Sequence, residues 1–489
     1  MRILFYPMYI DGQWVTETES RQEVVSPVTG GILGTIPLAG PEEVDRAYRA
    51  ADREKERLEQ MTAFERAELC VRIADALMRR REELAKIITL EMGKPFTEAL
   101  GEVQSSALAF RDAAEQIKWM SGEIPAVREK NVHVFAFRKP VGVFTVITPF
   151  NFPVCTACCY YLAPGLAAGN PMVWFPPVSC SAIASVFMKC VEEAGIPKGI
   201  INMVIGTSKE AKTLGVQHPL AAGIAFTGST EAGNAIAEKA GAKKTLMELG
   251  GNGPVIVLKD ADPEKAAEAI LTGSFQNAGQ ICTSTERVLV DEHIADRLAE
   301  VLLEKMKRYQ VGDPFKEGVT MGPVHSMNTV ETVLAHIQDA VEKGAKIISP
   351  HSGQVEGMPT SNYLYPAILD RVSRDALVNK EETFGPLIAL VRFRDENEIM
   401  PLIKESPYSL AAGIFTEDLK KGLKLAHAMR FGYVNINSGS SYWDWTFPAG
   451  GTGGTRSGHG RSGGKWSILE MSEERCISIN LNDGTGEHS

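Results

Sequence analysis

Cysteine is scarce in this sequence, which excludes one common way of stabilising a fold. Only eight of the 489 residues are cysteine, whereas small secreted domains that depend on disulfides are much denser in it. The first seven residues form a short apolar patch that ends in proline, and Asp11 and Gly12 follow at once, so no full signal-peptide pattern develops. We therefore expect a protein of the reducing cytoplasm.

Positive charge is also in short supply. Lysine and arginine number 51 against 61 aspartate and glutamate residues, which gives a formal net charge of −10. A chain without a basic run has no evident way to neutralise phosphates, so we expect no nucleic-acid partner. The apolar share of 44% and the charged share of 23% are typical of a folded globular protein and exclude disorder.

The sequence lacks an unbroken hydrophobic run of membrane-spanning length. No charged residue occurs between Lys139 and Lys189, but seven prolines divide this stretch. The pieces are shorter than the roughly 20 residues that a membrane helix needs. We therefore expect no membrane association, and we interpret the stretch as buried strands and helices of a protein core.

The order of apolar segments predicts two α/β units. Continuous apolar strands that alternate with helical segments indicate parallel sheets covered on both faces, with the ligand beyond the carboxyl ends of the strands. Helices are predicted from a capping box at Thr62 and over 97–120, 154–168 and 180–194. The predicted strands are 143–147, 172–175, 201–205, 223–226, 245–247, 254–258, 287–290, 345–348, 387–391, 433–436 and a last one within 467–480.

Three residues could carry chemistry. Cys282 follows a glycine and a polar segment; a single cysteine is more often a small buried hydrophobe, but a thiolate on a loop could act as a nucleophile. Glu248 ends an apolar strand before paired glycines, where it could face a ligand or simply be solvated. Asn151 lies between aromatic residues and prolines, and is either a turn residue or an amide donor to an oxyanion.

Six sequence blocks around these residues resemble the aldehyde dehydrogenase superfamily, in the family's order and over nearly the whole chain. They are ITPFNFP (147–153), FTGST (226–230), ELGGN (248–252), NAGQIC (277–282), ETFGP (382–386) and SGHGR (457–461). The resemblance implies an α/β protein with two doubly wound Rossmann-like domains and a small β oligomerisation arm. The implied limits are 1–120 and 141–249 for the cofactor-binding domain, 250–450 for the catalytic domain, and 121–140 and 467–486 for the arm.

The resemblance also implies a reaction, the oxidation of an aldehyde to a carboxylic acid with NAD or NADP. Cys282 would attack the aldehyde carbon, and the Asn151 amide and the Cys282 backbone N–H would hold the resulting oxyanion. After hydride transfer, Glu248 would activate the water that hydrolyses the thioester. A hydrolytic enzyme of this kind does not require coenzyme A.

Cofactor contacts follow from the same blocks. Gly228 and Ser229, which open a helix, would lie near the pyrophosphate. Glu382 would hold the hydroxyls of the nicotinamide ribose, and Phe384 would pack at that end. The usual G-x-G-x-x-G fingerprint is missing, and the glycine-rich run 450–464 is interpreted as a loop near the substrate entrance. The other predicted cofactor contacts are Thr148, Pro149, Phe150, Phe175 and Leu249.

The sequence departs from the family pattern in places. Phe175 stands where the family usually has a lysine that contacts the adenosine ribose, and Val178 replaces an acid common in NAD-preferring members, so NAD and NADP are both open. The loop 448–458 carries extra residues, with Ala449 in place of an aromatic. Trp443 and Trp445 could line an apolar pocket, but core positions are favoured. The tail 467–474 resembles the subgroup that acts on lactaldehyde and related small aldehydes.

Other interpretations remain at this stage. A dehydrogenase that transfers the acyl group to coenzyme A is one alternative, although it would not need Glu248. A non-catalytic binding protein that has kept the fold is another. A metal site is not expected, because the helical cysteines Cys155, Cys158 and Cys159 lack a second ligand pair. The expected partners are a small aldehyde and further copies of the chain, in a homodimer or homotetramer assembled through the arm.

Overall fold

Four sheets organise this chain in a computed structural model, which describes residues 4–207, 211–444 and 446–482. The strands are β1 (Leu4–Phe5), β2 (Met8–Ile10), β3 (Gln13–Val15), β4 (Ser20–Val25), β5 (Ile32–Leu38), β6 (Val132–Pro140), β7 (Val143–Ile147), β8 (Met172–Phe175), β9 (Ile201–Met203), β10 (Ala221–Thr227), β11 (Lys244–Glu248), β12 (Gly253–Val257), β13 (Thr285–Asp291), β14 (Lys346–Ile347), β15 (Ala367–Asp370), β16 (Leu387–Phe393), β17 (Ala411–Phe415), β18 (Tyr433–Ile436), β19 (Gly458–His459) and β20 (Ser472–Asn480).

Two large sheets form the body of the protein. One has the order β19-β11-β10-β7-β8-β9-β2-β3 and the other the order β14-β15-β16-β13-β12-β17-β18. The central neighbours of both sheets pair in parallel. Strands such as β7, β8 and β12 are buried along their whole length, which explains their continuous apolar sequences. The predicted α/β class with two doubly wound sheets is therefore confirmed.

The helices cover the faces of these sheets, and no helix in the described part of the chain is long and apolar enough to cross a membrane. At Thr62 the predicted capping box is present: Thr62 Oγ1 accepts from the Glu65 amide, and Glu65 Oε2 accepts from the Thr62 amide. The helices are α1 (Pro41–Arg53), α2 (Lys55–Gln60), α3 (Ala63–Arg79), α4 (Arg81–Met92), α5 (Phe96–Trp119), α6 (Ala163–Ala168), α7 (Ser181–Glu193), α8 (Ala211–Gln217), α9 (Thr230–Ala240), α10 (Pro263–Phe275), α11 (Glu292–Met306), α12 (Met327–Glu342), α13 (Ile399–Lys404), α14 (Leu419–Ala428) and α15 (Gly464–Glu470).

Three predicted elements need correction. The single helix predicted over 154–168 contains a π-helical turn, Ala157–Leu162, before α6. The tail predicted as one strand begins as helix α15, because Ser467, Ile468 and Met471 are buried at helical spacing. The glycine-rich run 450–464 is not loop throughout, since β19 pairs with the end of β11.

The segment predicted as an arm is a two-stranded sheet. Strand β6 pairs with β20 in antiparallel register from Ser472–Pro140 to Asn480–Val132, and residues 483–486 of the predicted arm lie outside the described part. Nearly all of β20 is exposed. Large apolar side chains are among the exposed ones: Phe135 is 40% exposed and Ile477 50%. The three domain limits given above stay a prediction.

Candidate active site

A cavity of about 820 Å³ lies at the carboxyl ends of β7, β10 and β11, a size suited to a small-molecule or cofactor site. Residues from both large sheets line it, and they include the three predicted catalytic residues Cys282, Glu248 and Asn151. Most predicted cofactor contacts line the same cavity: Thr148, Pro149, Phe150, Gly228, Ser229, Leu249, Glu382 and Phe384. The structure thus brings together residues that are up to 236 positions apart in the chain.

Phe175 is the exception among the predicted cofactor contacts. It ends β8, is fully buried and does not line the cavity. Its ring packs against α8, where a Cβ built on Gly215 would lie 2.8 Å from it. The ring that replaces the family's lysine is therefore part of the protein core, and the structure offers no ligand contact for it.

The loop that carries Cys282 is backbone-strained and firmly held. Asn277 and Ala278 both have φ of 53°, in the left-handed region that non-glycine residues avoid at a cost of about 1–3 kcal/mol each. Several hydrogen bonds fix Asn277, among them one from its backbone N–H to Glu98 Oε2 at 3.0 Å and one from its side-chain amide to the Asn151 carbonyl at 3.0 Å. These bonds hold the backbone that precedes Cys282 and so help to fix the position of the Cys282 side chain.

Asn151 is joined directly to the Cys282 loop. Its Nδ2 donates to the Gln280 carbonyl at 2.9 Å, and no second acceptor for this nitrogen occurs in the described part of the chain. An amide group has two N–H bonds, so one of them is left for a ligand oxygen. The side chain is 5% exposed and lines the cavity, which suits a donor to an oxyanion.

A buried ion pair is hydrogen-bonded to the turn that carries Asn151. Lys94 Nζ lies 2.5 Å from Glu102 Oε2, donates to the Asn151 carbonyl at 2.9 Å and sits 3.9 Å from the centre of the Phe152 ring. Both charged side chains are 1% exposed. Glu102 Oε1 in turn accepts from the backbone amides of Val154 and Cys155. Sequence reasoning missed this pair because Glu102 lies in α5, where an acid is more often a solvated helix residue.

Glu248 is the last residue of β11 and is almost fully buried. Burial raises its pKa to about 7, although Cys282 and Thr227 act to lower that pKa. Strand β19 pairs with the end of β11 and places Gly458 opposite Glu248. A carboxyl group with a pKa near neutrality can both accept and release a proton under ordinary conditions.

Burial also raises the pKa of the Cys282 thiol well above its usual value, and the neighbouring carboxyl groups of Glu248 and Glu382 add to the effect. The backbone carbonyl of Cys282 passes close to Gly251, where a Cβ would lie 1.9 Å from that oxygen. Only glycine fits there, which explains one of the two glycines after Glu248. The thiol must lose its proton before it can attack, because the thiolate is the nucleophile.

The Glu382 side chain is held by the backbone at the other side of the cavity. Its Oε1 accepts from the Gly251 amide at 2.8 Å. The following segment is fixed by the buried Glu286, whose carboxylate accepts from the backbone amides of Thr383 and Phe384 at 2.8–3.0 Å. Phe384 has φ of 52°, and its ring meets the Phe150 ring edge-on at 5.9 Å. The sequence does not point to Glu286 as a site residue, because polar residues are common in strands and nothing in its neighbourhood sets it apart.

Helix α9 points its N-terminus at the cavity, since Gly228, Ser229 and Ala232 all line it. Ser229 is the N-cap residue, and its Oγ accepts from the Ala232 amide at 3.2 Å. The first amides of a helix have no acceptor within the helix and attract anions. Lys212 and Lys239, from α8 and α9, line the same part of the cavity.

The structure also decides between two interpretations of the tryptophans. Trp443 lines the cavity rather than the core, and its ring meets that of Tyr160 at 5.3 Å and 88°, whereas Trp445 lies outside the described residues. Ala449 and Gly450, from the altered loop, line the cavity as well. Cys159, in the π turn, and Cys155, just before it, also line the cavity, with their sulfur atoms 3.3 Å apart.

Comparison with known proteins places this geometry in context. The model of the aldehyde dehydrogenase family matches residues 14–477. A 3-sulfolactaldehyde dehydrogenase of Priestia aryabhattai is 36% identical, with 97% of this chain and 98% of the relative aligned. The NADP-dependent succinate-semialdehyde dehydrogenase of Escherichia coli is 35% identical, with 96% and 97% aligned.

A solved lactaldehyde dehydrogenase structure superposes with a TM-score of 0.94 at 31% identity, over 98% of this chain and 100% of that one. Sequence, fold and cavity agree, and they argue against a non-catalytic protein. The chain belongs to the aldehyde dehydrogenase family, as an NAD(P)-dependent enzyme that oxidises an aldehyde to the carboxylic acid.

Proposed function

We propose that this enzyme oxidises its aldehyde by covalent catalysis at Cys282, with hydrolysis of the acyl intermediate by Glu248. The observation that carries the proposal is the meeting of a thiol, a carboxyl group with a pKa of about 7 and a side-chain amide in one cavity. Each group suits one step of the chemistry, as follows.

In the first step, the Cys282 thiol releases its proton to solvent water and the thiolate sulfur attacks the carbonyl carbon. The carbonyl π electrons move to the oxygen, where the free N–H of Asn151 and the Cys282 backbone N–H stabilise the charge. One such donor contributes a factor of about 10²–10³ in rate. The resulting thiohemiacetal carries a hydrogen that can leave as hydride, and its departure gives a thioester on Cys282.

In the second step, Glu248 accepts a proton from water as the water oxygen attacks the thioester carbon. The C–S bond breaks, the sulfur recovers its electron pair, and the carboxylic acid leaves. General-base assistance of this kind is worth about 10²–10⁴ in rate. The fully buried position of Glu248 suits this role, because a pKa near neutrality matches the base to the working pH.

The residues around the cavity fit a nicotinamide dinucleotide, which accepts the hydride when bound. The N-terminus of α9 at Gly228 and Ser229 suits its pyrophosphate. The Glu382 carboxylate, already oriented by the Gly251 amide, can accept from ribose hydroxyls. Phe384 and Phe150 offer ring faces at that end, and Thr148, Pro149 and Leu249 complete the wall.

The main rival is transfer of the acyl group to coenzyme A. Against it stands Glu248, which lines the same cavity as the thiol, raises its pKa and would have no water to activate. The aldehyde itself is a further question: the relatives are named for 3-sulfolactaldehyde, lactaldehyde and succinate semialdehyde, all of them small. We propose a small aldehyde for this enzyme too.

Rapid-mixing kinetics test the roles. Cys282→Ala should abolish cofactor reduction, and Cys476→Ala, which alters an exposed cysteine of the arm, is the matched control and should retain full activity. Glu248→Gln should give a first burst of reduced cofactor and then turn over about 10²–10⁴ times more slowly. Equal loss of burst and steady state, or rescue of turnover by coenzyme A, would contradict the assignment of Glu248 as hydrolytic base.

We further propose a homodimer or homotetramer of the cytoplasm. The exposed apolar side chains of β6 and β20 support assembly through these strands. The eight free thiols support a reducing compartment. Light scattering should give twice or four times the mass of one chain, and Ile477→Asp should lower it; a wild-type monomer at working concentration would refute the assembly.

A further inference from the structure

One wall of the cavity has no part in the chemistry proposed above. It is formed around the rings of Tyr160 and Trp443 by side chains without charge, namely Ser105, Phe152, Cys155 and Cys159. The wall is close to the reacting groups: the acidic groups of Glu248 and Cys282 are among the causes that raise the pKa of Tyr160, after burial. It is therefore the surface that the body of the aldehyde would meet.

The π turn gives this wall its shape. Turns of this type are single-turn irregularities that occur often at functional sites. Here two successive tyrosines point to different partners: Tyr161 bonds to the Thr227 hydroxyl, while Tyr160 packs edge-to-face with Trp443. The turn thus adds an aromatic ring to the cavity.

The distribution of charge argues against an anionic substrate. The charged side chains that line the cavity among the described residues are Lys212, Lys239, Glu248 and Glu382. The two lysines come from α8 and α9, on the side of Ser229, and neither belongs to the aromatic wall. A carboxylate or sulfonate placed against that wall would be desolvated without a cation to pair with.

The residues next to the wall are acidic. Asp444 follows Trp443 directly, and its charge contributes to the raised pKa of Asp112, a residue two helical turns after the wall residue Ser105. Glu115 acts on Asp112 in the same direction. These carboxylates would repel an anionic aldehyde further.

We propose that the wall around Tyr160 and Trp443 selects an uncharged aldehyde with an aromatic or apolar body. The proposal rests on the proposed function, since it names the substrate class of the same site. Benzaldehyde and its neutral derivatives satisfy both conditions, because they carry no charge and have a ring that can pack on Tyr160.

Matched esters test the charge requirement. Cofactor reduction should be measured with succinate semialdehyde and its methyl ester, and with 4-formylbenzoate and its methyl ester. We expect kcat/KM to be at least about 100-fold higher for each ester, because burying an unpaired carboxylate costs several kcal/mol. Preference for either acid, or for trimethylaminoacetaldehyde over all neutral aldehydes, would overturn the proposal and leave the Cys282 mechanism intact.

The ring of the wall is tested by Tyr160→Leu, which removes the aromatic ring but keeps an apolar side chain. This variant should raise KM for benzaldehyde about 2- to 10-fold relative to acetaldehyde, the range for the loss of one aromatic contact. Trp119→Leu alters an indole that is 83% exposed and is the matched control, with no change in either KM. Equal effects of Tyr160→Leu on both aldehydes would refute the role of the ring, whereas full activity in Cys282→Ala would instead refute the mechanism.

Discussion

The buried pair of Lys94 and Glu102 gives the sharpest prediction about what holds the oxyanion donor in place. Glu102→Gln keeps the size and shape of the side chain and retains an oxygen for the amides of Val154 and Cys155, but it removes the negative charge. Lys94, 1% exposed, would then be a buried cation without its partner at 2.5 Å. Removing one member of a buried pair typically costs about 3–5 kcal/mol.

We expect the lower end of that range, because Glu98 also faces Lys94. Burial raises the pKa of Glu98 to about 7, and Lys94 acts against that rise, so Glu98 can ionise further and compensate in part when Glu102 is neutral. A local cost of about 3 kcal/mol corresponds to roughly a 150-fold loss of hydrogen-exchange protection. The loss should be concentrated in the amides of the 151–155 turn.

Hydrogen exchange followed by mass spectrometry measures this effect directly, and kcat gives a second readout. Displacement of Asn151 should lower kcat by up to about 10²–10³, the value of one oxyanion donor. The double variant Lys94→Met/Glu102→Gln is the control for charge, since it removes the unpaired cation, keeps an oxygen for the amides of Val154 and Cys155, and should recover most of the protection. If Glu102→Gln and the double variant lose protection equally, packing rather than charge holds the turn, and the reasoning fails.

Three further outcomes follow from the site. The pH profile of kcat should rise to a plateau with a midpoint near pH 7, because hydrolysis needs the ionised form of Glu248, whose pKa is about 7; Glu248→Gln should lack this limb. Glu286→Gln should raise KM for the cofactor while the burst rate per bound cofactor stays near that of the wild type, since Glu286 acts through the amides of Thr383 and Phe384. Lys212→Met should weaken NADP binding, measured by fluorescence titration, more than NAD binding, because the additional phosphate gains most from a cation in the cavity; equal weakening would count against that placement.

The sequence predicts the proposed reacting groups through the six blocks that resemble the aldehyde dehydrogenase family. Taken singly, Cys282, Glu248 and Asn151 each have an ordinary structural alternative. Topology then brings them together, since the carboxyl ends of parallel strands share one edge of a sheet. The alternation of apolar strands and helices was sufficient to predict that edge.

The supports of the site are not local, and this is why they escaped prediction. Glu102 is 49 residues from Asn151, and Glu286 is 97 residues from Thr383; each looks in sequence like an ordinary polar residue of a helix or strand. Only the folded chain shows that they are buried and bonded to backbone amides. Phe175 is a different case: the position was taken over from the family, its ring is buried in the core, and its contact with the cofactor stays a prediction.

The acidic groups around Cys282 have a consequence for how variants of this enzyme behave. In addition to burial, the carboxyl groups of Glu248 and Glu382 both raise the pKa of the Cys282 thiol, and Glu248 also raises the pKa of Glu382. Replacing Glu248 by glutamine therefore has two opposite effects: it removes the base for hydrolysis, and it lowers the pKa of the thiol by removing a neighbouring negative charge. Formation of the thioester can then survive, or even accelerate, while its hydrolysis fails. The electrostatics of this cavity therefore predict a retained burst in Glu248→Gln, in addition to the separate roles proposed for Cys282 and Glu248.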